Sequence, residues 1–174
     1  MSRHTIALLV ALLAARAAPA VANTSALGRV RAVDPAASRL VQEAAARSPT
    51  FRELVAEIEA SDVIVYVAES DALRGDVQGA LRFMGSGAGE RYLRVDVRRG
   101  DRASITSLKR AIATLAHELM HALEIAGAGH VVDRMSFESF YRNQANRLRG
   151  DIFDTPAAVE MGERVHFEMT GRRY

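Results

Sequence analysis

His117-Glu118-Leu119-Met120-His121 puts two imidazoles and a carboxylate within five residues. On a helix, residues four apart stand one turn apart on the same face, so both rings can reach a single metal ion. Glu118 lies one step round and is placed to hold a water on that ion as general base. The residues on either side fit a helix from about Ile105 to Ala126. At about 100° per residue, Leu108, Ile112, Leu115, Leu119, Leu123 and Ala126 form an apolar stripe, with His117, His121 and Glu124 on the opposite side. The alternative is an ordinary amphipathic helix with solvated or core histidines. Motif, phase and length together favour a metal site.

Two histidines need a third protein ligand, and Glu124, His130, Glu138, Asp154 and Glu160 are the candidates. Glu124 shares the histidine face but lies two turns from His117. Three ligands on one straight helix rarely converge, so Glu124 is expected to orient a histidine instead. A helix beginning near Thr155-Pro156 and extended back one turn would put Asp154, Ala158, Met161 and Val165 on one inward stripe, with Glu160 turned about 120° away. That phase favours Asp154 and leaves Glu160 as the alternative ligand.

HELMH resembles the active-site helix of the zincin metalloproteases. The specific likeness covers about 25 residues here and a short stretch near Asp154, and the order of elements is similar from roughly Phe51 to Arg172. Asp154-Thr155-Pro156-Ala157-Ala158 is similar to the E-x-x-A-[D/N] third-ligand segment of prenyl-protease-like zinc proteases, with Asp for Glu and Ala at the last position. The metzincin pattern would want glycine at 124 and histidine at 127, where this chain has Glu124 and Gly127. The resemblance is thus to a gluzincin-like arrangement with a downstream carboxylate. It implies a zinc ion on His117, His121 and a carboxylate, a zinc-bound water deprotonated by Glu118, and a peptide or protein substrate. It also implies a sheet edge that binds extended substrate, for which residues 91–97 are the candidate. His130, Tyr141 and His166 are the side chains available to stabilise an oxyanion, with no choice among them.

Two other readings compete. Glu118-x-x-His121 and Glu163-x-x-His166 are both E-x-x-H pairs, as found in di-iron carboxylate bundles. The chain could also be a non-catalytic exported metal-binding or structural module.

Residues 1–22 read as a signal peptide: Arg3 and His4, an apolar run from Ile6 to Ala15 too short for a stable anchor, and Ala20-Val21-Ala22 as the cleavage site. The expected mature terminus is Asn23, in a periplasmic or extracellular protein without a stable membrane anchor. Arg3 and Arg16 are the whole basic excess, and without them 21 basic residues balance 21 acidic ones. That removes any global case for nucleic acid. There is no cysteine, so neither a disulfide framework nor a thiolate metal site exists.

The rest reads as a flexible segment, 23–33, and one α+β domain, 34–174. Asp34-Pro35 and Ser48-Pro49 start two helices. Asp62–Ala68 is a strand buried on both faces. Gly79–Met84 and Tyr92–Val97 form a hairpin across Gly85–Glu90; a phosphate cradle would need a helix after those glycines. Gly127 and Gly129 should cap the metal helix in left-handed conformation. A helix over Ser136–Leu148 and a last one to about Thr170 complete a small three-stranded sheet with N-terminal helices, a central H-E-x-x-H helix and two C-terminal helices.

Overall fold

The computed structural model describes residues 28–144, 146–149 and 152–171. The expected signal peptide and the first part of the 23–33 segment lie outside the described residues. The chain is a mixed α+β domain. In order it runs β1 (Val30–Ala32), α1 (Pro35–Arg47), α2 (Pro49–Glu59), β2 (Val63–Glu69), β3 (Gly79–Gly87), β4 (Glu90–Val97), α3 (Ile105–Gly127), α4 (Arg134–Gln144), β5 (Asn146–Arg149), β6 (Ile152–Asp154) and α5 (Pro156–Thr170).

The main sheet has four strands, not three, in the order β1-β2-β4-β3. The extra strand, β1, falls where a loose segment was expected. It is short, and distant partners hold it: the Glu59 carboxylate accepts from the Arg29 and Val30 amides, and Val65 donates to the Arg29 carbonyl. Nothing local in Arg29–Ala32 announces those partners. β1 and β4 both run parallel to β2, and β3 runs antiparallel to β4.

This order corrects the expected substrate edge. Residues 91–97 lie in β4, paired on both sides, and the free edge next to β4 is β3. Burial matches the arrangement. Leu93, Val95 and Val97 are fully buried on β4, whereas on β3 Leu81 and Phe83 are only partly buried against the core and Met84 is exposed, the burial of an edge rather than a middle strand. The β3–β4 hairpin turns through Ala88 and Gly89, both at positive φ, the pair of left-handed residues that a two-residue type I′ turn requires. A register shift between Phe83 and Gly85 puts a bulge in β3.

The helix starts follow their sequence signals. Asp34 accepts from the Ala36 and Ala37 amides, Ser48 from Phe51, Ser104 from Ser107 and Thr155 from Ala158, each satisfying donors that the first turn leaves unpaired. The end of α3 differs from expectation. Neither Gly127 nor Gly129 has positive φ. The buried Arg91 guanidinium closes the helix instead, donating to the carbonyls of Ile125, Ala126, Ala128 and Val131 while it pairs with Asp62. The expected helix over Ser136–Leu148 also shortens. α4 stops at Gln144, and Asn146–Arg149 pairs antiparallel with Ile152–Asp154.

α3 is the central element. Ile112, Leu115, Leu119 and Ile125 sit in one core with Val63, Val65 and Val67 of β2, Leu93, Val95 and Val97 of β4, Leu40 of α1, Phe51, Leu54 and Ile58 of α2 and Val165 of α5. α5 lies so close to α3 that a Cβ on Gly162 would stand 3.3 Å from both the Ala113 carbonyl oxygen and His117 Cβ.

Candidate metal centre

His117 and His121 leave α3 one turn apart, their ring centroids 4.9 Å from each other and nearly perpendicular. Asp154 meets them from the end of β6. Its Oδ1 lies 3.3 Å from His117 Nε2 and 3.8 Å from His121 Nε2. The phase argument for Asp154 fails although the residue is in place: Pro156 starts α5 and Thr155 caps it, so Asp154 is strand, not an extra helical turn. A proline at the first helical position, with a capping threonine before it, fixes that start.

The other candidates are elsewhere. Glu160 is exposed and pairs with Arg164 at 3.0 Å, and Glu138 is exposed and pairs with Arg134 at 2.8 Å. His130 is exposed, with its ring 6.1 Å from that of Phe140. Glu124 takes the orienting place expected of it, with Oε2 2.9 Å from His121 Nδ1. Tyr141 donates its hydroxyl to the His121 carbonyl at 3.0 Å and sets its ring edge-on to the imidazole, so the hydroxyl is committed to the helix backbone. Among the described residues one group of three could hold a metal ion, namely His117, His121 and Asp154. Glu163 and His166 are not in it.

Orientation comes from the outer nitrogens. His121 Nδ1 faces Glu124, and the Ala158 carbonyl at the start of α5 supports His117. Both Nε2 atoms are thereby left to Asp154. Burial and the neighbouring His121 pull the His117 pKa below the ordinary histidine range. Burial pulls His121 the same way, but Glu124, Glu118 and Asp154 together outweigh it and raise its pKa.

Glu118 is buried against β3. Burial pushes its pKa up to about 7, against the opposing pull of His121; Asp154 adds to the rise and the Leu81 backbone amide on β3 offsets part of it. The space for this carboxylate exists because residue 79 is glycine. A Cβ there would stand 2.5 Å from Glu118 Oε1 and 2.6 Å from Thr114 Cγ2.

The donor set could hold a metal ion, with its three ligand atoms all within 4.8 Å of one another. Donors at about 2.0–2.1 Å from a tetrahedral ion stand roughly 3.3–3.4 Å apart, and the Asp154–histidine separations of 3.3 and 3.8 Å are close to that. Asp154 Oδ1 is buried and accepts no hydrogen bond, an arrangement that costs free energy unless a ligand completes it. Sequence reasoning missed Thr155, Gly79 and Gly162 in this site. Their part lies in contacts between distant elements, and only the T-P helix-start signal marked Thr155 at all.

No family model, curated protein or solved structure matches this chain.

Proposed function

We propose that this chain is a zinc-dependent peptidase of the zincin kind, exported once residues 1–22 are removed and acting on peptide or protein substrates. The observation that carries this reading is the buried Asp154 Oδ1, without a hydrogen-bond donor and facing two oriented Nε2 atoms, within electrostatic reach of a carboxyl whose pKa is about 7. A zinc ion bound there would polarise the substrate carbonyl and acidify water towards a pKa of about 7. His117, His121 and Asp154 would hold the ion, a set of three protein donors as in catalytic rather than structural sites. Glu118 takes the proton of the attacking water and returns it to the leaving amine. A pKa near the working pH suits a group that does both.

The fold is consistent with a minimal zincin arrangement, in which a mixed sheet precedes the metal helix and a later element brings the third donor. β3 is the strand that fits extended substrate. Among the described residues no strand pairs with its outer edge, and its Leu81 amide is directed at Glu118. A peptide added there as a further strand would run past the site.

Elemental analysis of the purified protein, joined to hydrolysis of an unfolded protein with and without chelator, tests the proposal. One zinc per chain and chelator-sensitive turnover are expected, with turnover falling by a factor of about 10²–10⁴ in Glu118→Gln while zinc is retained. Zinc uptake without turnover would leave the non-catalytic metal-binding module as the reading. Two irons per chain would favour the di-iron alternative.

A further inference from the structure

Glu124 does not end at His121. Its second oxygen, Oε1, accepts a hydrogen bond from Thr155 Oγ1 at 2.5 Å. The same Thr155 oxygen accepts from the Ala158 amide at 3.2 Å, as the N-cap of α5. Thr155 is buried and directly follows Asp154. The run His121–Glu124–Thr155 therefore ties one donor on α3 to the segment carrying the donor from β6, by side chains that reach across about thirty residues of sequence.

We infer that Thr155 is a positioning residue, whose hydroxyl couples the orientation of His121 to the placement of Asp154 through Glu124. This inference rests on the metal site proposed above. A threonine that serves only as a helix cap needs its oxygen as an acceptor, and any good capping residue would do. Here the hydroxyl also donates, and its acceptor is the carboxylate that orients His121. Glu124 in turn has both oxygens engaged, so His121 cannot swing without disturbing the start of α5. Outer partners of this kind typically change metal affinity by about 10–100-fold.

A double-mutant cycle in zinc affinity tests the coupling, read by competition with a chromogenic chelator. Thr155→Val and Glu124→Ala are each expected to weaken zinc binding by about 10–100-fold, and the double variant to be no weaker than the worse single one, because both break the same connection. Thr155→Ser keeps the hydroxyl and should bind zinc as the unchanged protein does. Urea unfolding of the metal-free variants reports the loss of the cap separately. Additive losses, unchanged affinity in Thr155→Val, or failure of Thr155→Ser to restore binding would each overturn the inference. Should Thr155→Val not fold, Thr155→Ala replaces it in the cycle. Absence of zinc uptake by the unchanged protein would overturn the metal site itself, and the coupling with it.

Discussion

Glu118 is held in a place that suits its protonated form better than its charge, which makes it a stability liability in the metal-free protein. Its pKa rises from 4.5 to about 7 on burial. Below pH 4.5 the carboxyl is neutral in folded and unfolded chains alike. Between 4.5 and 7 the unfolded chain gives up the proton while the folded one keeps it, so stability is lost as pH rises through that window, by about 3 kcal/mol in all. Glutamine does not titrate. The stability gap between metal-free Glu118→Gln and the unchanged protein should therefore widen from pH 4.5 to 7 and level off above it, as followed by urea unfolding. A gap independent of pH would mean that Glu118 ionises normally. At the third donor, Asp154→Ala should weaken zinc binding far more than Glu160→Ala or Glu138→Ala, since only Asp154 faces the histidines; wild-type affinity in Asp154→Ala would refute its assignment. That His117, Glu118 and His121 share one turn of one helix was legible in the sequence, because the spacing alone sets it. A helical phase that the structure does not have, together with the likeness of Asp154–Ala158 to a third-ligand segment, pointed to Asp154, and the structure brings it to the histidines from the end of β6 instead. Gly79 left no trace, because its role is to be absent where Glu118 lies.

Neighbouring elements act on α3 at two places, beside Glu118 and at its C-terminal end. At β3, Gly79→Ala sets a methyl 2.5 Å from Glu118 Oε1, 2.6 Å from Thr114 Cγ2 and 2.8 Å from Glu118 Cγ. The carboxylate is the flexible partner and should be the one displaced. Turnover is expected to fall at least about tenfold with zinc affinity unchanged, and a matching loss of zinc would instead indicate a shift of the whole helix. At the far end of α3, Arg91 satisfies carbonyls that glycine caps were expected to close. Arg91→Met leaves those carbonyls buried and Asp62 without its partner, at a cost of about 2–4 kcal/mol, below the full value for a buried pair because Asp62 is half exposed. A smaller shift in the urea midpoint would mean that water takes over the carbonyls. The helix starts at Asp34, Ser48 and Thr155 were readable because each depends on two or three neighbouring residues. The edge role of β3, the existence of β1 and the closure by Arg91 were not, because each depends on partners in other elements.

The described residues form a mixed α+β fold in a chain without cysteine, and a class of mixed α+β with a central helix could be inferred from periodicity alone. Strand order could not, because the hairpin strands β3 and β4 differ in which is buried only by a few apolar side chains. The same scale gives the wide spacing of the donors a mechanical meaning. His121 and Asp154 are separated by about thirty residues, including all of α4 and the β5–β6 hairpin. An ion gripping both ends turns that stretch into a closed ring, and closing a ring removes open arrangements that a free segment would sample. In a chain with no disulfide to do so, metal would act as a reversible staple. Limited proteolysis within residues 128–153 should therefore speed up when zinc is stripped and slow again on its return, while cleavage elsewhere changes less. Equal rates with and without zinc would show the ring held shut by packing alone. A protein built this way would lose, with the ion, both the geometry of the donor cluster and the closure of the stretch between its donors.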